Sequence, residues 1–183
     1  NVEMTSLKAI EDYQNEFRFH FPHEHRPAAR PAKTTSLTSV MAAKNASFTV
    51  VNGWERVEYF KPSEDFQPSL SFHFDETFDI VAREVSNVRD NVGLCEVNGF
   101  NRFEITGSDS QSFIDRLFCG NITHKPSRVG LGYLLNDFGM VKSEATIANI
   151  PASDRGPNRM WYGSAAASEF HDMDWLSQHI NPD

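Results

Sequence analysis

Asp137-Phe138-Gly139 separates two β-rich runs, residues 132–136 and 140–149. A short Gly-containing turn between two such runs predicts a hairpin. A hairpin imposes antiparallel pairing, so the second half of this chain is expected to be built on an antiparallel sheet. Shorter runs repeat the theme at residues 94–97, 102–106 and 159–163, punctuated by Asn98-Gly99 and Gly107. Among them, Ser108 or Asp109 offers a cap for a helix that buries Phe113, Ile114, Leu117 and Phe118, and residues 165–180 read as a terminal helix.

The first half is less regular. Met4, Leu7, Ile10, Tyr13 and Phe17 recur at spacings of three and four, which predicts a helix over 4–17. Residues 18–21 form a short strand candidate stopped by Pro22, and the proline-rich stretch 22–33 reads as extended and irregular. Ser36 caps a short helix reaching about Lys44. Residues 48–51 are β-rich and end at the turn signal Asn52-Gly53. Residues 54–71 show no clean periodicity and read as a connection. A helix follows over 76–92, with Phe78, Val81, Val85 and Val88 on one side. The expected class is α+β, mostly antiparallel sheet with helices, and the domain boundary is expected between Tyr59 and Phe74.

Composition narrows the function classes. With 39% hydrophobic and 23% charged residues the chain is globular. Nothing approaches the ~20 consecutive apolar residues of a membrane span. The formal charge of −8 makes a general nucleic-acid-binding role unfavourable, because such a surface repels phosphates. Cys95 and Cys119 are too few for a disulfide framework and are expected to be buried small hydrophobes. The first sixteen residues lack the apolar core of a signal peptide, so a reducing compartment is expected, the cytoplasm or the mitochondrial matrix, and the sequons Asn45-Ala46-Ser47 and Asn121-Ile122-Thr123 carry no weight. The chain begins with Asn rather than Met, which suggests a piece of a longer protein.

Several chemical signatures can be weighed from spacing. His20, His23 and His25 cluster around Glu24, but they flank a proline-rich loop without H-E-x-x-H spacing, so no metal site is expected. Neither G-x-G-x-x-G nor G-x-x-x-x-G-K-[ST] occurs, and Gly130-x-Gly132 alone is weak support for a nucleotide. Asp137 belongs to the hairpin turn, where Asp serves local hydrogen bonding. Glu144 lies inside a strand. Alternation puts Val141, Ser143, Ala145 and Ile147 on one face and Lys142, Glu144 and Thr146 on the other, the pattern of a solvent-facing row.

Two groups of segments add a family resemblance. Glu24-His25-Arg26-Pro27-Ala28-Ala29-Arg30-Pro31, then Lys33-Thr34-Thr35-Ser36-Leu37 and Gly53-Trp54-Glu55-Arg56, resemble the linker of the dimethylglycine and sarcosine dehydrogenase family. Val92-Gly93-Leu94-Cys95-Glu96-Val97, residues 103–110 and residues 132–139 resemble the start of the aminomethyltransferase fold of the glycine cleavage T-protein. The resemblance implies that residues 1–60 end a flavin oxidoreductase central or linker domain. It implies that residues 61–183 begin a folate-binding aminomethyltransferase domain that is cut short. It further implies tetrahydrofolate as ligand, FAD in the parent protein but not on this segment, and an N-methyl amine as the parent's substrate. In that family a flavin oxidises an N-methyl group and tetrahydrofolate captures the one-carbon unit. Glu144 matches the family's folate-site carboxylate, within a strand of the dehydrogenase branch's form, and Tyr133 matches a tyrosine of the folate pocket. The flavin unit and the remaining folate subdomains have no counterpart in these residues, so the segment alone is expected to be inactive. Partners are expected to be small molecules, without nucleic acid or membrane, and exposed strand edges suggest self-association. A folate-binding module without catalysis, or a scaffold, is the alternative.

Overall fold

A computed structural model describes residues 2–120, 122, 125–154 and 156–180, so Asn121 and Thr123 of the second sequon lie outside the described residues. The chain divides into two compact units between Asn98 and Gly99. That is a division by internal contact.

In the first unit, α1 spans Val2–Gln14 and α2 spans Thr38–Ala42. β1 (Ala46–Val51) and β2 (Trp54–Phe60) form an antiparallel hairpin. Asn52 and Gly53 both take positive φ, 52° and 83°, which is the conformation their turn demands and the reason Gly stands second. Helix α3 spans Glu76–Asp90, and its N-cap Asp75 accepts a hydrogen bond from the Thr77 amide at 2.9 Å. Ile80 is buried, whereas Phe78, Val81, Val85 and Val88 remain exposed.

Three expectations for 1–98 are corrected. Residues 18–21 and 94–97 are not strands. Residues 54–60 are a strand rather than a connection: charged residues alternate with the aromatic and aliphatic ones on β2, and Glu55 is buried with a partner, so no simple polar–apolar alternation was visible.

The second unit is a five-stranded antiparallel sheet in the order β3-β7-β6-β5-β4, with β3 as Phe100–Thr106, β4 as Phe118–Cys119, β5 as Val129–Leu135, β6 as Val141–Ile150 and β7 as Arg159–Ala165. Helix α4 (Ser110–Leu117) and helix α5 (Glu169–Gln178), which follows a 3₁₀ turn at Ala166–Ser168, supply buried residues for one face. The core there joins Ile114, Phe118 and Ile122 to Leu134, Ile147, Met160 and Tyr162. Gly132 is required for close approach, since a Cβ there would stand 2.8 Å from Ile122 Cδ1. The expected hairpin across Asp137-Phe138-Gly139 is the β5–β6 pair, with the Asn136 side chain accepting from the Phe138 and Met140 amides at 3.0 and 2.9 Å. This is an α+β fold.

Candidate functional site

Strand alternation gives the five-stranded sheet a second face that the core does not use. Its residues lie in register across the strands. One row reads Arg102, Gly163, Thr146, Leu131, and the next reads Glu104, Trp161, Ala148, Val129. Tyr133 and Glu144 are direct cross-strand partners on this face, and both are exposed. The Tyr133 hydroxyl donates to the Glu144 carboxylate, and this bond together with the carboxylate's charge raises the phenol above its ordinary value. The two residues singled out from sequence are therefore brought together as a hydroxyl–carboxylate pair.

The floor beside the pair is low. Gly163 lies at the centre of the face, and a Cβ there would meet Thr146 Oγ1 at 3.3 Å, so this glycine keeps the centre of the face clear. Trp161 forms one border, its indole N–H donating to Glu104 Oε2 at 3.3 Å. The set of acceptor carboxylate, hydroxyl and flat ring suits a ligand that combines an amine with aromatic rings.

Two sequence expectations for this region are corrected. Val141 is exposed and Lys142 half-buried, with the Lys142 ammonium 3.9 Å above the Trp175 ring. A register irregularity between Leu134 and Leu135 breaks the alternation at the start of β6, while Ser143, Ala145 and Ile147 are buried and Glu144 and Thr146 exposed as expected. Cys95 and Cys119 are both exposed rather than buried. Cys119 pairs with Tyr133 at the β4 edge, where the sheet's outer face leaves its thiol open.

Beneath the same strands lies a polar cluster with no sequence signature. Asp172 of α5 is fully buried and accepts hydrogen bonds from Tyr162 Oη at 2.7 Å, from Ser143 Oγ at 3.2 Å and from Ser164 Oγ. Burial pushes the Asp172 carboxyl upward, but hydrogen bonds from Ser164, Tyr162, His171 and Ser143 outweigh it and hold the group below its ordinary value. Burial drives the Tyr162 phenol far above its ordinary value. Acidic neighbours Glu169 and Asp174 make Asp172 look like one of a solvated row. The only clue is its place four residues before the buried Leu176.

In the first unit, the residues that resemble the dehydrogenase linker are joined by an ion pair. Arg30 donates to Glu55 through Nε at 3.0 Å and Nη2 at 2.5 Å, and Nη2 also reaches the Phe48 carbonyl at 2.9 Å. The Lys33 amide donates to the Gly53 carbonyl and the Glu55 amide to the Lys33 carbonyl, both at 2.9 Å. The histidine cluster is tied to Glu58: His23 Nδ1 lies 2.5 Å and His25 Nε2 2.9 Å from its carboxylate. The His25 bond is the largest influence lowering the Glu58 carboxyl, with burial opposing it and His23 assisting.

A family model described as the GCVT N-terminal domain matches residues 37–183. The chain belongs to that family. As a GCVT-domain chain it is similar to mitochondrial dimethylglycine dehydrogenase of Rattus norvegicus, 29% identical over 178 residues, covering 97% of this chain and 20% of the relative. It is also similar to the mitochondrial pyruvate dehydrogenase phosphatase regulatory subunit of Mus musculus, 25% identical over 160 residues, covering 84% of this chain and 18% of the relative. The chain thus spans about a fifth of the length of these curated relatives. Among solved structures, the aminomethyltransferase T of the glycine cleavage system from Bartonella henselae shares the fold, with a TM-score of 0.52 at 14% identity, over 83% of this chain and 36% of that one. Among the described residues no helix is long and apolar enough to cross a membrane.

Proposed function

We propose that this GCVT-domain chain is a section of a longer flavin-dependent N-methyl amine dehydrogenase, and that it faces tetrahydrofolate with Tyr133 and Glu144. The observation that carries the reading is the Tyr133–Glu144 pair on the free face of the sheet, in a chain whose relatives include a dimethylglycine dehydrogenase. On this reading residues 1–60 close the oxidoreductase part and residues 61–183 open the folate part. FAD belongs to the parent and is not held by this segment. The parent works in the mitochondrial matrix or the cytoplasm, and the mitochondrial names of the dehydrogenase relatives favour the matrix.

Tetrahydrofolate supplies the secondary amines that accept a one-carbon unit. The chain's own residues do the rest. Glu144 holds or relays a proton at the amine that receives the carbon. Tyr133 donates to Glu144, which orients the carboxylate, and presents its ring as a packing surface. Gly163 leaves the room that a flat ligand needs.

The test is Glu144→Gln in the longer protein, which keeps size and removes the charge. General acid–base contributions are typically worth ~10²–10⁴-fold in rate. Formation of 5,10-methylenetetrahydrofolate is expected to fall by that order while bleaching of the flavin by the amine, followed by rapid mixing, stays unchanged. Equal loss of both steps overturns the division into separate sites, and loss of neither returns Glu144 to a plain surface role. A second reading, a folate-binding module without catalysis, is favoured by the similarity to a subunit named regulatory. It predicts folate binding with no effect of the substitution on turnover.

A further inference from the structure

Glu144 stands at a weak point in the pairing of β6. On one side the β6–β7 register runs from Ile150↔Arg159 to Ala145↔Ser164, so Glu144 is the first residue beyond it. On the other side Glu144 pairs with Tyr133 and Ser143 with Leu134, but the next pair is Leu135↔Val141, which leaves Lys142 as an extra residue. An extra residue disrupts a ladder locally. Were it to move from Lys142 to Glu144, Ser143 would face Tyr133 and the hydroxyl–carboxylate pair would be lost.

The hold on this register lies beneath the sheet. The two residues before Glu144 both meet α5. Ser143 Oγ donates to Asp172 Oδ2 at 3.2 Å, and the Lys142 ammonium lies 3.9 Å from the centre of the Trp175 ring. The same Asp172 oxygen accepts from Tyr162 Oη at 2.7 Å and from Ser164 Oγ. Ser164 is the β7 residue at which the register with β6 ends. One fully buried carboxylate thus ties Ser143 to β7 just past the last paired residues.

We propose that Asp172 is a positioning residue for the Tyr133–Glu144 pair: by holding Ser143 on the core face it keeps Glu144 on the opposite face, in register with Tyr133. Adjacent residues of a strand point to opposite faces, so fixing Ser143 below fixes Glu144 above. In the slipped register Ser143 turns outward and a buried carboxylate loses a donor, which is the costly state. Asp172 lies on the core side of the sheet and acts through Ser143. The role of the pair toward tetrahydrofolate rests on the proposed function; the hold on the register does not.

Ser143→Ala removes the hydroxyl that Asp172 holds and leaves Tyr162 and Ser164 on the carboxylate. Two readouts on the full chain need no ligand. Amide hydrogen exchange at residues 142–144 is expected to quicken about fivefold or more, the worth of one hydrogen bond, while exchange at Ile147 and Met160 is unchanged. The Tyr133 phenol, which its bond to Glu144 raises, is expected to titrate nearer its ordinary value, followed through its ring carbons by NMR. Ser143→Thr, which keeps a hydroxyl, is expected to preserve both properties. If either readout is unchanged in Ser143→Ala, the inference is overturned. A loss of protection spread evenly over the sheet also overturns it, since that is a purely structural effect. Should Ser143→Ala fail to fold, Ser143→Cys, a weaker donor of nearly the same size, must give both changes in smaller degree, and no change overturns the inference. In the longer protein, Ser143→Ala is expected to slow formation of 5,10-methylenetetrahydrofolate and to add nothing to the effect of Glu144→Gln; additive effects overturn the inference. If the pair responds in this chain but neither substitution slows the folate step, the ligand reading falls and the positioning role stands.

Discussion

The Arg30–Glu55 pair shows how much one buried charge can organise. Glu55 sits in a strand whose neighbours include Trp54, Val57 and Tyr59, and it is 6% exposed. A carboxylate there is tolerated because the Arg30 guanidinium meets it with two hydrogen bonds and spends a third on the Phe48 carbonyl. Removing one member of such a pair strands the other without compensation, at a cost of about 3 kcal/mol. Glu55→Ala is therefore expected to lower the stability of the first unit by about that amount, read from chemical denaturation followed through Trp54 fluorescence. Arg30, Pro31, Trp54 and Glu55 all belong to the segments that resemble the dehydrogenase linker, but the sequence did not indicate that Arg30 and Glu55 pair. The pairing needs the hairpin, which brings residues 25 positions apart into contact.

At the scale of elements, Asp172 couples helix to sheet. It is the point at which α5 meets Ser143 on β6 and both Tyr162 and Ser164 on β7. The carboxylate has no Lys or Arg among these partners; the three hydroxyls, with the His171 ring 3.2 Å from Oδ1, stabilise its charge. Asp172→Asn keeps the shape but puts an amide N–H₂ or a weaker acceptor before three hydroxyls. A buried group left unsatisfied costs about 1–3 kcal/mol, and that is the expected loss for the second unit in thermal or denaturant melts. The element boundaries themselves were largely legible. Apolar spacing located α1, α3 and α4, and turn residues located the β5–β6 hairpin and the Asn52-Gly53 turn, though not the strand that follows that turn. Strand β2 escaped because its charged residues are partnered by tertiary contacts, and residues 94–97 read as a strand because apolar character alone does not supply a neighbouring edge.

For the whole molecule, acid is the informative perturbation. Glu58 in the first unit and Asp172 in the second both have folded-state values below the ordinary carboxylate range. Below that range the unfolded chain takes up protons before the folded one does, so stability rises with pH in this window. The contribution is complete above the ordinary carboxylate values, near 4.5 for Glu and 3.8 for Asp, and is lost as pH falls through the depressed folded values. Melting temperatures measured by calorimetry are expected to fall steeply below about pH 4. Asp172→Asn removes its unit's share of the slope and leaves that of Glu58. A melting temperature flat from neutrality down through that window contradicts both assignments.

A resemblance to a known family singled out Tyr133 and Glu144, while local chemistry was enough to establish an antiparallel α+β chain and a hairpin at Asp137-Phe138-Gly139. The class and the hairpin follow from φ preferences, turn residues and side-chain period, which act over a few neighbours. The tertiary structure alone decided that Tyr133 and Glu144 touch, that both cysteines are exposed, that Lys142 turns toward Trp175, and that Asp172 is buried beneath the strands. Each of those depends on which strand lies beside which and in what register, and on a helix docking onto the sheet. Such contacts join residues far apart in the chain, and no local pattern encodes them.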